Sequence, residues 1–129
     1  MALTGVVAIV WMTVLGSHCV FSTVAIYGNL GNDTHLQCKH GIEDVQSIIW
    51  YFNYKTPEQS LVTRWTVQNG TIEEGQWIGK TNLKIPSGDI QINSLVFDDE
   101  GVYTCVYSTK SFELPTFEGS SYFLTVTGN

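Results

Sequence analysis

After roughly its first two dozen residues, the chain carries apolar side chains in short alternating runs separated by Gly, Asn, Asp, Pro and Ser. No stretch repeats its apolar positions with a helical period of useful length. Alternation with period two is what a strand needs to bury one face, because successive side chains point to opposite sides of a sheet. The pattern predicts strands at residues 24–27, 34–40, 47–54, 61–67, 71–78, 82–85, 90–95, 101–108 and 122–127. Short strands with turn signals at regular intervals predict an all-β sandwich or barrel. Asn69-Gly70, between Thr66-Val67 and Thr71-Ile72, predicts a tight hairpin with both turn residues at positive φ. Pro57 and Pro86 fall between runs, where a missing N–H does no harm, and Gly28, Gly31 and Gly41 read as turn glycines.

Residues 1–22 follow a different rule: they are apolar and uncharged. Their apolar heart, residues 6–15, is too short for a bilayer span, which takes about 20 apolar residues. The segment reads as a secretory signal peptide cleaved between Ser22 and Thr23, although no Lys or Arg precedes the apolar heart. The alternative is a buried N-terminal strand, since Val, Ile and Trp favour strands. Cleavage leaves one domain, residues 23–129, and removes Cys19. Cys38 and Cys105 remain, an even count in an oxidising compartment, so a disulfide is expected. No second apolar run predicts a membrane span, so the expected location is secreted or on the extracellular face of the plasma membrane as an ectodomain.

Charge and chemistry narrow the function further. The formal net charge is −6, and Lys39, Lys55, Arg64, Lys80, Lys84 and Lys110 are dispersed, which argues against nucleic acid as a partner. Glu73-Glu74 would point to opposite faces of a strand, and Asp98-Asp99-Glu100 reads as a solvated turn, so neither makes an acid–base pair. His40 could share a face with Cys38, but His35 should not, and a zinc site needs about four ligands. No catalytic residue, cofactor site or metal site is therefore expected, and the chain does not read as an enzyme. Asn32-Asp33-Thr34 and Asn69-Gly70-Thr71 are N-glycosylation sequons in a secreted chain.

Four positions carry the strongest signal: Cys38, Trp50 twelve residues later, and Tyr103 and Cys105 within Asp99-Glu100-Gly101-Val102-Tyr103-Thr104-Cys105. With Ile90-Gln91-Ile92-Asn93-Ser94-Leu95 ahead of it, this set resembles the variable-type (V-set) domain of the immunoglobulin superfamily, over essentially all of residues 23–129. The resemblance implies two antiparallel sheets pinned by a Cys38–Cys105 disulfide, with Trp50 packed on the bridge and the Tyr103 hydroxyl returned to backbone at the preceding corner. The extra runs between residues 61 and 78 fit the variable rather than the constant type. Glu118 in Phe117-Glu118-Gly119-Ser120 replaces the first glycine of the Phe-Gly-x-Gly bulge of rearranged antigen receptors. Lys80 stands where the family tends to place an Arg paired with the motif aspartate, here Asp99. Cys105-Val106-Tyr107-Ser108-Thr109, with Pro115 and Gly119, is weakly similar to nectin- and poliovirus-receptor-like domains, although the insertion at residues 110–114 breaks that motif.

With no catalysis expected, the spare side chains point to function. Trp50 and Cys105 face the core, so Ile49, Tyr51, Thr104 and Val106 face outward on the same sheet. Phe112 and Leu114 follow in the loop that serves as the third recognition loop of variable-type domains. This face is the expected site for a protein partner, another immunoglobulin-type surface protein in immune co-receptor signalling. Adhesion is the alternative, including a homodimer through the same face, as is a secreted effector binding a microbial or carbohydrate ligand.

Overall fold

The computed structural model describes residues 7–14, 17–38, 45–109 and 117–128, with side chains from residue 23 onward. Their strands are β1 (Val7–Val14), β2 (Ser17–Asn29), β3 (Thr34–Leu36), β4 (Val45–Phe52), β5 (Ser60–Thr66), β6 (Ile72–Glu74), β7 (Thr81–Leu83), β8 (Ile90–Ile92), β9 (Gly101–Thr109) and β10 (Phe117–Thr127). A 3₁₀ turn, Phe97–Asp99, leads into β9. The large sheet has seven strands in the order β1-β2-β10-β9-β4-β5-β6, and the small sheet has three in the order β3-β8-β7.

Period-two burial explains the layers. In β4 the side chains of Val45, Ile48 and Trp50 are buried, and in β8 Ile90 and Ile92 are buried on either side of the half-buried Gln91. These residues meet Leu36, Val62, Leu95, Tyr103, Cys105 and Leu124 in one core between the two sheets. β9 is the central strand of the face discussed below. It runs antiparallel to β10 on one side (Tyr122↔Tyr103) and to β4 on the other (Trp50↔Cys105). β10 also pairs parallel with β2, from Tyr122↔Val24 to Thr127↔Asn29. Of the sandwich or barrel expected from the alternation, the described residues form the sandwich, with two sheets.

Several local expectations are corrected. Asn69-Gly70 is not a two-residue hairpin with both residues at positive φ. Gly70 alone adopts positive φ (69°), within a wider turn closed by its N–H on the Thr66 carbonyl at 2.9 Å. β6 holds three exposed residues rather than the eight expected at 71–78, and Trp77 lies beyond it in a turn, pointing inward. Gly28 lies within β2 rather than in a turn: a Cβ there would meet the Leu95 side chain at 2.4 Å, so the residue is small to let that side chain in. β10 starts earlier than expected, at Phe117, with an irregularity in its pairing between Glu118 and Ser120. His40, Gly41 and Pro115 lie outside the described residues.

Residues 7–14, inside the expected leader, form the outermost strand of the large sheet. β1 pairs with β2 from Val7↔Val24 to Val14↔Ser17 and, among the described residues, with no other strand. Among the described residues, no helix is long and apolar enough to cross a membrane.

Candidate functional site

The disulfide behind the face is the one the resemblance implied. Cys38 and Cys105 are disulfide-bonded with their Cα atoms 5.6 Å apart. Trp50 is fully buried, and its indole N–H donates to the Gly88 carbonyl at 2.7 Å. Gly88 is at φ 84°, and a Cβ there would come within 3.1 Å of both Cys38 and Ile48, so only glycine lets the backbone approach this closely. Trp50 also stacks on Tyr122 at 6.3 Å, and the Tyr122 hydroxyl donates to the Gln37 carbonyl at 2.7 Å.

Asp99 organises the corner next to this pin. It is buried, and Lys80 Nζ lies 2.7 Å from its Oδ2. The same oxygen accepts the Val96 N–H at 2.9 Å, while Oδ1 accepts the indole N–H of Trp77 at 3.2 Å. The Asp99 carbonyl accepts the Tyr103 hydroxyl at 2.6 Å. Burial, reinforced by the charge of Asp99, pushes the Tyr103 phenol well above its ordinary value. The Lys80–Asp99 pair is thus formed. Asp99 itself is not solvated, contrary to the reading of residues 98–100 as an open turn. Trp77, which the sequence pattern assigned to a strand, is the missed member. It packs on Phe52 at 5.1 Å and on Tyr103 at 6.2 Å. Its only advance signal was a tryptophan two residues after a glycine and three before a lysine in a polar stretch.

The outer face of the large sheet brings Ile49 and Tyr51 of β4 beside Thr104 and Val106 of β9, through the register pairs Ile49↔Val106 and Tyr51↔Thr104. The parity was right, but the expected exposure of two members is corrected. Thr104 is 3% exposed and Val106 2% exposed. They sit on a central strand, between Ile49 and Tyr51 on one side and Glu118 and Ser121 on the other, and Thr104 exchanges a hydroxyl hydrogen bond with Ser121 at 3.1 Å. Ile49 and Tyr51 are half-buried. What the face presents is therefore its margin. Tyr51 stacks on Tyr54 at 4.8 Å, and Lys55 lies 5.4 Å over the Tyr54 ring and 3.4 Å from Glu118 of β10. Arg64, paired in register with Ile49, forks onto Glu73 at 3.2 and 2.8 Å. That hydrogen-bonded charge pair raises the Arg64 pKa and lowers that of Glu73. Phe112 and Leu114 lie outside the described residues.

The other singled-out residues have separate places. Asn32 and Asn69 are exposed in turns, as a sequon requires. Glu74 accepts the Gly79 N–H at 2.9 Å while Glu73 holds Arg64, and Glu100 accepts the Val126 N–H at 3.0 Å while Asp99 holds Lys80, so these adjacent carboxylates have separate partners rather than being paired with each other. Among the described residues, no three His, Cys, Asp or Glu side chains group as metal ligands.

The sequence profile of the Immunoglobulin V-set domain matches residues 22–127. Solved structures share the fold at low sequence identity. The first Ig-like domain of human CD48 antigen superposes with a TM-score of 0.66 at 14% identity, over 92% of this chain and 90% of that one. A structure titled Tim-1 gives 0.66 at 18% identity, over 84% of this chain and 96% of that one. A chicken T-cell receptor (TCR) structure gives 0.65 at 18% identity over 81% of this chain, which spans about half (48%) of the receptor chain's length. Among curated proteins, none matches in sequence.

Proposed function

Because the chain belongs to the immunoglobulin V-set family, we propose that it is an extracellular recognition domain that binds another cell-surface protein through the outer face of its large sheet. The V-set fold is a recognition fold, and the chain is read here as a binding module without catalysis. One observation carries the reading: the stacked Tyr51–Tyr54 pair, flanked by Ile49, Lys55 and Glu118, stands at the margin of that face. Aromatic side chains with two rotatable angles lose little entropy on contact and dominate interface hot spots. The buried Thr104 and Val106 form the floor beneath this contact, and Phe112 and Leu114, outside the described residues, are proposed on sequence grounds to take part in it. An immunoglobulin-type protein of the immune surface is the proposed partner. A homophilic variant is the second reading: Lys55 and Glu118, paired within the chain at 3.4 Å, carry opposite charges on one face, and a two-fold pairing of identical copies can set each against the other across the seam.

Secretion is part of the same proposal, with cleavage after Ser22. β1 pairs with β2 alone among the described residues. Cleavage there would leave only Thr23 and Val24 without their β1 partners, because the β1–β2 register ends at Val24, and from Val24 onward β2 keeps its pairing with β10. The test is to express the full chain in secretory cells, sequence the N-terminus of the product, and offer it as a tagged multimer to cells displaying surface proteins one at a time. The expected result is an N-terminus near Thr23 and saturable binding to a surface protein, competed by untagged domain. A product that starts at Met1, or one that binds no displayed protein and sediments as a monomer, would sink the reading.

A further inference from the structure

A second patch lies away from that face, around the turn that holds Asn32. Leu30, Val96 and Phe97 are apolar yet 44%, 45% and 57% exposed. They belong to one end of the sandwich. The Leu30 N–H donates to the Thr127 carbonyl at 2.8 Å, and a Cβ on the next residue, Gly128, would lie 3.2 Å from the Phe97 ring. The Asn32 turn is laced to the same segment by two backbone bonds of 2.8 Å, Gly31 N–H to the Leu95 carbonyl and Leu95 N–H to the Asn32 carbonyl. Asp33 fixes the turn further by accepting the Ser94 N–H at 2.9 Å. Phe97 cannot simply fold inward, because it opens the 3₁₀ turn whose last residue, Asp99, occupies the interior with its Lys80 and Trp77 partners.

Two independent features therefore meet: an exposed sequon asparagine on a rigid turn, and an exposed apolar patch beside it. Single exposed apolar side chains are ordinary, but several grouped at one end of a domain point to something that covers them. We propose that Asn32 carries an N-glycan whose first sugars lie over Leu30, Val96 and Phe97. The attachment is an N-glycosidic bond from the Asn32 side-chain nitrogen to the anomeric carbon of the reducing-end sugar: in the secretory pathway a lipid-linked diphosphate sugar is the donor, its anomeric C–O bond breaks, the diphosphate leaves on the lipid and the amide nitrogen gives up one proton. Sugar rings have an apolar C–H face that suits an aromatic edge and two aliphatic side chains, and their hydroxyls remain in water. The inference rests on the secretory reading above.

The experiment uses the full chain secreted from glycosylating cells. Enzymatic removal of N-glycans in heavy-oxygen water marks each formerly occupied asparagine, and peptide mapping reads the mark. A dye that fluoresces on apolar surface is then compared before and after removal, in the wild type and in Phe97→Ser. The expected result is a mark on Asn32 that Thr34→Ala abolishes, and a rise in dye fluorescence on glycan removal that Phe97→Ser suppresses. A cleaved, secreted product with Asn32 unmarked overturns this inference and leaves the recognition reading standing. An occupied Asn32 whose removal leaves fluorescence unchanged, or a glycosylated dimer that Phe97→Ser dissolves, also overturns it, since the patch is then covered by something else. A chain retained in the cell with its leader intact sinks both.

Discussion

Asp99→Ala removes the acceptor on which the corner beside the disulfide depends. Three groups lose a partner: the Lys80 ammonium at 2.7 Å, the Val96 N–H at 2.9 Å and the Trp77 indole N–H at 3.2 Å. They do not lose equally. The Lys80 side chain is 24% exposed and can turn to water, and Val96 lies at the surface, so water can replace part of what each loses. Trp77 is only 8% exposed, and its N–H would be stranded at a cost of about 1–3 kcal/mol. Breaking a buried ion pair by deleting one partner typically costs about 3–5 kcal/mol, and the partial exposure of Lys80 places this case near the lower end. The expected destabilisation is about 3–4 kcal/mol, against a net stability of about 5–15 kcal/mol for a domain of this size. Urea unfolding followed by tryptophan fluorescence measures it directly. Asp99→Asn, which keeps one acceptor for Trp77, should lose roughly half as much. A loss under about 1 kcal/mol for Asp99→Ala would refute the assignment of Asp99 as the buried acceptor of this corner.

Two further outcomes follow from the core. The raised pKa of Tyr103 means that the native state holds its proton where the unfolded chain releases it, so its contribution is complete below about pH 10 and falls as pH rises beyond that. Urea midpoints should therefore decline above about pH 10, and Tyr103→Phe should flatten that decline while costing about 1 kcal/mol at neutral pH for the lost hydroxyl bond. Replacing both Cys38 and Cys105 by Ala opens a loop with a sequence separation of 67 and should cost about 4 kcal/mol in the chain-entropy model, read from the same urea curves; an unchanged midpoint would contradict the pin.

The parts of the molecule legible in the sequence were those fixed by covalent chemistry or by strand parity. Cys38, Trp50, Tyr103 and Cys105 carry the resemblance by their order and spacing; the disulfide it implied is formed, Trp50 is buried, and the Tyr103 hydroxyl returns to backbone. Parity also assigned Ile49, Tyr51, Thr104 and Val106 to one face. It could not reveal that Thr104 and Val106 would be roofed over, because burial on the outer side of a sheet depends on how many strands flank a position and how bulky their side chains are. The Lys80–Asp99 pair was open from sequence alone, since two charges about twenty residues apart pair only if the turn before β7 and the 3₁₀ turn before β9 meet. That meeting depends on Trp77, whose inward direction is set by a turn with no periodicity to read. Asn69-Gly70 misled for a related reason: the dipeptide favours positive φ at both positions, but the span between Trp65 and Ile72, which pair across the turn, leaves room for a wider loop in which only Gly70 needs it.

The central claim is that the partner meets the outer face of the large sheet at Tyr51. Its most direct test compares the affinity of Tyr51→Ala with that of Gln91→Ala, on the small sheet, for the partner identified on cells. Loss of an aromatic hot spot is worth about 2 kcal/mol or more, and about 1.4 kcal/mol is tenfold. Tyr51→Ala is therefore predicted to weaken binding by roughly thirtyfold while the domain stays folded, its stability lowered by about 1–2 kcal/mol for the lost stacking on Tyr54 and partial burial, and Gln91→Ala leaves the affinity as it was. Loss of affinity in Gln91→Ala with Tyr51→Ala binding normally would place recognition on the other side of the sandwich.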